Sequence, residues 1–279
     1  MQLGTSSYAY VWAVGVPGWP PPQPLGADEL LDKALRLGVR VVQIADNLPL
    51  DRMTEARRRA LFSRAASCGV RIEAGTRGIR PELVLPYVRI AAECGSPILR
   101  TLIDSPGHEP SEDEAIALLR ALVPELKAAG VVLAIENHDR FKAVKLRRIV
   151  ECAGPEWIGV CLDTANSLGC GEGIEHVAAV LAPVTVNLHI KDFMARRLPH
   201  NKGFIIEGCP AGQGLVDIPA LLGVLRGAGR DCNAILELWP PPEPELSASI
   251  AKEEVWVEAS IAYLRPLIES SANHPGSRN

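Results

Sequence analysis

Short runs of apolar and β-branched residues alternate with longer amphipathic stretches along the whole chain. Eight runs read as strands, at 3–7, 41–46, 71–76, 98–104, 131–137, 158–164, 185–192 and 233–239. Between them lie segments such as DELLDKALRLG, EARRRALFSRAASCG and EDEAIALLRALVPELKAAG, whose apolar residues recur at helical spacing and which close on glycine. Eight strands, each followed by a helix, is the count of a closed (β/α)8 barrel. The main competitor is an open doubly wound sheet, which usually carries a glycine-rich phosphate turn after its first strand; GTSSYAY is not one. The pattern predicts an α/β protein, a single-domain TIM barrel over residues 1–270, followed by a disordered tail at 271–279. Two proline-rich stretches, 14–26 with Trp19 and WPPPEPE at 239–245, fall after strands. Both belong at the end of the barrel where active sites are built, as lids, rigid connectors or a subunit surface.

Composition narrows the class without naming a chemistry. Of 279 residues 47% are hydrophobic, enough for a large core. No apolar run approaches the ~20 residues that span a bilayer, and MQLGTSSYAY has no basic segment leading into an apolar one, so neither a membrane nor a secretory signal is expected. A formal charge of −4 and the absence of a basic block argue against a nucleic-acid partner. The seven cysteines are scattered, odd in number and free of CxxC pairs, which fits reduced thiols in a cytoplasm.

Chemistry concentrates at the ends of the last four predicted strands: LAIENHD, VCLDTAN, NLHIKDF and ILELWPP. Each is an apolar run that abruptly accepts an ionisable group, and a carboxylate there is costly unless it is paired, hydrogen-bonded or bound to metal. Taken alone, such a glutamate is more often a salt-bridge residue and such a histidine a satisfied core residue. Four at equivalent positions converge in a closed barrel, so Glu136, Asp163, His189 and Glu237 are the expected ligands of one divalent metal. Three carboxylates and an imidazole suit manganese first, with magnesium or cobalt as alternatives, and do not resemble a sulfur-rich zinc site. Residues two apart share a strand face, which adds His138 beside Glu136, Lys191 beside His189, and Arg100 with Asp104. Arg77, Arg196 and Arg197 fall just beyond strand ends; for the arginines, rim salt bridges are an equal reading.

These motifs resemble the xylose-isomerase-like TIM-barrel superfamily, in the branch of sugar and inosose isomerases, epimerases and dehydratases similar to tagatose 3-epimerase. The resemblance runs from the first strand to AILELW and rests on IENHDRF, LDTAN, LHIKD and LELW. It implies that the four residues hold the metal and that Glu136 and Glu237 flank the substrate as catalytic acid and base. GCPAGQGLVD, ending at Asp217, resembles the family's glycine-rich segment before the last helix. One position departs: where many relatives have a histidine three residues after the aspartate ligand, this chain has Asn166, which argues against a second metal and an endonuclease-like cluster. The expected substrate contacts are His138, Asn166, Lys191, Arg77, Arg100 and Arg196, and the expected partner is a small carbohydrate, with assembly of like chains left open.

A metal that grips a carbonyl and a neighbouring hydroxyl stabilises an enediolate, and a carboxylate can then move a proton. The leading expectation is an isomerase or epimerase of a sugar, keto-sugar or sugar acid. The alternative is a lyase, decarboxylase or dehydratase, which the cationic strand ends favour. A non-catalytic sugar-binding or assembly subunit is the third reading, against which the two opposed glutamates argue.

Overall fold

The computed structural model describes residues 1–269; the tail expected to be disordered lies outside them. In chain order the strands are β1 (Leu3–Ser6), β2 (Val41–Ile44), β3 (Arg71–Gly75), β4 (Ile98–Thr101), β5 (Val132–Glu136), β6 (Ile158–Asp163), β7 (Thr185–Ile190), β8 (Asp192–Arg197), β9 (Phe204–Cys209) and β10 (Ala234–Leu236). β1–β7 and β10 close into a parallel barrel in the order β1-β10-β7-β6-β5-β4-β3-β2. The helices are α1 (Val11–Val14), α2 (Ala27–Leu37), α3 (Glu55–Ser67), α4 (Pro81–Cys94), α5 (Glu112–Ala129), α6 (Ala143–Ala153), α7 (Ile174–Leu181), α8 (Ile218–Gly227) and α9 (Leu246–Glu269). The predicted (β/α)8 architecture is present. Each barrel strand stops one to three residues before the predicted end, because the apolar run continues into the loop after the ladder has lost its partner.

Local signals account for the helix limits. Ser111 and Thr54 cap α5 and α3 by accepting from Glu114 N and Arg57 N. Gly38, Gly95 and Gly130 close α2, α4 and α5 at φ 65, 67 and 66°, the left-handed conformation that favours glycine. Strand alternation divides the side chains into two populations. Leu133, Ile135, Val160, Leu162 and Leu188 face the helices and join the main core. Ile98, Ala134 and Cys161 form a small apolar layer inside the barrel. Above and below it the interior is polar, with Gln43, Glu73, Arg100, Asn187 and His189 all buried.

The hairpin of β8 and β9 is an addition that the sequence pattern did not predict. It leaves the barrel directly after β7, pairs antiparallel from Asp192↔Cys209 to Arg197↔Phe204, and exposes Met194, Phe204 and Ile206. The expected glycine-rich segment packs against its base. Asp192 accepts from the backbone N–H of Phe193, Gly212, Gly214 and Val216 at 2.9, 2.9, 2.9 and 3.1 Å. A Cβ on Gly214 would lie 2.2 Å from the Asp192 carboxylate, so glycine is required there by close approach. Asp217 caps α8 through Ala220 N at 3.0 Å. No helix among the described residues is long and apolar enough to cross a membrane.

Candidate metal centre

The register of the last strands brings the four predicted ligands together. Asp163 on β6 lies beside His189 on β7, and Glu136 ends β5 beside Cys161. Glu237 follows β10, its N–H donating to Ile190 O at 3.0 Å. Ligand atoms of Glu136, Asp163, His189 and Glu237 all lie within 4.8 Å of one another, and all four residues are buried. His189 Nδ1 stands 3.2 Å from Glu136, 3.4 Å from Glu237 and 3.9 Å from Asp163.

Two features show that this cluster fits a cation. His189 Nε2 lies 2.6 Å from Gln43 Oε1, an acceptor, so Nε2 carries the proton and Nδ1 of the neutral ring points its lone pair at three carboxylates. Nδ1 and both Glu237 oxygens are buried without a hydrogen-bond partner, although Glu237 lies 2.9 Å from Lys191 Nζ as an ion pair. Buried acceptors facing one another are costly unless a cation lies among them. The charge count agrees. Glu136, Asp163, Glu237 and the neighbouring Asp46 face two cations, Arg100 and Lys191, which leaves the deficit that one divalent ion would balance.

The two cations are built into the floor of the site. Arg100 on β4 donates to Glu136, to Asp46 at 2.8 Å and to Thr76 O at 3.2 Å. Lys191 donates to Asp163 at 2.8 Å and to Asn166 Oδ1 at 3.4 Å. Burial pulls both cations' pKa values down, but Glu136 and Asp46 around Arg100, and Asp163 and Glu237 around Lys191, more than offset it and raise them. Burial likewise pushes Glu136 up, and Arg100 and His189 outweigh it to hold that carboxyl well below the usual range. Burial lowers His189, yet Glu237 and Glu136 raise it on balance when no cation is bound.

Above this floor lies a cleft of about 330 Å3 lined by Tyr8, Val16, Arg77, His138, Asn166 and Trp239 among others. It adjoins a second cavity of about 210 Å3 that shares Arg77, Glu136 and His138. The structure thus brings Arg77, Arg100, His138, Asn166 and Lys191 to one place. Asn166 bridges the site, donating to Glu136 at 2.6 Å while accepting from Lys191. His138 is half-exposed, its Nδ1 2.5 Å from Asp139. Arg196 is not brought in: it sits on β8, exposed and paired with Glu207 at 2.7 Å, because the hairpin carries it away from the barrel mouth. Asp104 is held by Arg140 on the cleft wall. Trp12 on α1 links the two proline-rich loops: its Nε1 donates to Pro240 O at 2.9 Å and its ring packs edge-on to Trp19 at 6.0 Å. Sequence reasoning missed Tyr8, Asp46, Gln43 and Glu73. The last two announced themselves in VVQIAD and RIEAGT, where a polar residue interrupts an apolar strand.

The model of the xylose isomerase-like TIM barrel family matches residues 31–267, and the chain belongs to that family. It is 32% identical over 264 residues to the 3-oxo-isoapionate decarboxylase of Pectobacterium atrosepticum, covering 95% of each chain. Among solved structures, it resembles the D-psicose 3-epimerase with D-tagatose from Clostridium cellulolyticum H10, at a TM-score of 0.72 and 13% identity, covering 96% of this chain and 99% of that one. It also resembles the IOLI protein with a binding zinc atom, at a TM-score of 0.68 and 16% identity, covering 97% and 99%. These two likenesses are of fold.

Proposed function

We propose that the chain is a divalent-cation-dependent decarboxylase of a 3-oxo sugar acid, with Glu136, Asp163, His189 and Glu237 as the cation's ligands. The observation that carries this reading is the placement of Arg100 and Lys191 among those carboxylates. Moving a proton between carbons calls for a carboxylate free to accept it. A β-keto acid needs no base: its carbon–carbon bond breaks to release carbon dioxide, and the site must only favour the negative charge left on the substrate. The identity with a decarboxylase along nearly the whole of both chains supports the same substrate class.

A bound divalent cation would supply Lewis acidity toward a substrate oxygen, with manganese the first expectation. The chain's own residues do the rest. Among the described residues Arg77 forms no ion pair and lines both cavities, so it is the anchor for the substrate's carboxylate. Lys191 and Arg100 offset the carboxylates beneath the reacting carbons, which lessens their repulsion of the negative charge left on the substrate. Trp239, with the Lys191 ammonium 5.9 Å from its ring, walls the cleft against water. His138, open to both cleft and solvent, returns a proton to the carbon that lost carbon dioxide.

A second reading, isomerisation or epimerisation, is favoured by one observation: both Glu237 oxygens lack hydrogen bonds and could take a proton. One experiment separates the two. The manganese-loaded protein is incubated in deuterium oxide with 3-oxo sugar acids and with keto-sugars, followed by NMR. The proposal expects stoichiometric carbon dioxide and one deuteron on the former carboxyl-bearing carbon. A product of unchanged formula with no carbon dioxide overturns it in favour of the second reading.

A further inference from the structure

Beneath the cluster the barrel interior holds a hydrogen-bonded chain whose residues line neither the cleft nor the cavity beside it. Glu73 on β3 is buried, and both its oxygens accept: Oε1 from Asn233 Nδ2 at 2.6 Å, Oε2 from Gln43 Nε2 and Asn187 Nδ2, each at 3.1 Å. Gln43 Nε2 also donates to Asn187 Oδ1 at 3.1 Å. Two acceptors on one side of the Gln43 amide fix which way it faces. Its oxygen is left toward His189, 2.6 Å from Nε2.

We infer that Gln43 and Glu73 are positioning residues that select the His189 tautomer, keeping the proton on Nε2 so that Nδ1 is free to bind a cation. The inference rests on the metal reading of the site. Glu73 acts at one remove, since a carboxylate can only accept and therefore forces the Gln43 amide nitrogen, not its oxygen, to face it. Asn187 on β7 and Asn233, the residue before β10, hold that carboxylate in place from across the barrel. A metal-ligating imidazole is commonly oriented through its other nitrogen, and loss of such a partner typically weakens metal affinity by about 10–100-fold. Here the partner is an amide whose own orientation is set by a buried acid, so the device has two removable parts.

The test uses Gln43→Leu, Glu73→Gln and the swap Gln43→Glu/Glu73→Gln in the full chain, with manganese affinity measured by chelator competition. Folding is checked by circular dichroism, and the His189 imidazole N–H proton is followed by NMR in the magnesium-loaded protein. Gln43→Leu should weaken manganese binding by about 10–100-fold and lose the hydrogen-bonded Nε2–H resonance. Glu73→Gln is isosteric, so it keeps the packing while letting the Gln43 amide turn; it should weaken binding by at least tenfold. The swap restores an acceptor to His189 and a donor to residue 43, and should recover most of the affinity, which a merely structural role for Glu73 would not produce. Wild-type affinity in Gln43→Leu and Glu73→Gln, or a swap no better than the folded single variants, overturns the inference. Failure of the wild type itself to take up manganese overturns the metal reading instead, and the two failures are thereby distinct.

Discussion

Replacing Lys191 with methionine removes the cation that joins Asp163 to Glu237 and keeps nearly the same volume. Its Nζ lies 2.8 Å from Asp163 and 2.9 Å from Glu237. At an effective dielectric of about 20, each contact is a gross attraction of about 6 kcal/mol. Desolvating the ammonium takes back several kcal/mol, which leaves the about 3–5 kcal/mol typical of breaking a buried pair from one side. In a chain of this size that loss lowers the melting temperature by roughly 10 °C. The effect should depend on the cation. In chelator the variant holds three buried carboxylates with Arg100 as the remaining nearby counter-charge, whereas saturating manganese restores most of the balance. Melting Lys191→Met and the wild type by calorimetry, each in chelator and in manganese, should show a large gap in the first pair and a smaller one in the second. An unchanged melting temperature in chelator, or equal manganese shifts in both proteins, refutes the charge-balance argument.

Refolding with manganese should give one equivalent per chain by elemental analysis, lowered by His189→Ala; Glu136→Gln and Glu237→Gln each remove a ligand charge and should cut manganese affinity and turnover by more than the about 10–100-fold typical of losing an outer-shell partner, with the fold intact. Equal metal retention by a quadruple alanine variant, or near-normal rates in both glutamine variants, contradicts the assignment. Arg77→Met should raise KM for a sugar-acid substrate by about 10–100-fold, the worth of a charged hydrogen bond, with kcat little changed; an unchanged KM removes Arg77 from substrate binding. Glu253 accepts from Trp12 N and Ala13 N, and burial, only partly countered by those bonds, pushes its pKa up to about 7. A carboxyl raised in the folded state favours folding below its unfolded value and loses that contribution as pH rises through 7, about 3 kcal/mol in all, so Glu253→Gln should flatten the pH dependence of unfolding between about 4.5 and 7; an identical pH profile in variant and wild type contradicts this.

Most of the barrel was legible because parallel strands buried on both faces are near-continuous apolar runs, and helices that cover them repeat at 3.6 residues. The four ligands were legible for the same reason: an ionisable residue at the end of such a run stands out against its neighbours. The β8–β9 hairpin was not, since beyond its buried base at Phe193, Gly208 and Cys209 the run MARR is exposed and FIIE exposed or half-buried, and neither presents a buried stripe to recognise. Arg196 was misplaced with it. A cation just past a strand end points into the site only if the loop curls over the barrel, and here the chain runs straight on into a new strand.

Gln43 and Glu73 went unread for a different reason, which bears on how such sites are found. On the last four strands the ionisable residues stand at the strand ends. Gln43 and Glu73 sit inside β2 and β3, one layer below the mouth, where a polar residue is usually dismissed as a satisfied core group. In a closed barrel that dismissal is incomplete. Inward-facing residues from all eight strands share one narrow interior, so a buried acid must be hydrogen-bonded by residues from other strands, and those residues in turn touch the layer above. Glu73 is satisfied by side chains from β2, from β7 and from the residue preceding β10, and Gln43 passes the consequence to His189. A polar residue inside a barrel strand therefore constrains the protonation pattern of the site above it, and its position in the sequence, one or two residues before the strand ends, is itself the signal.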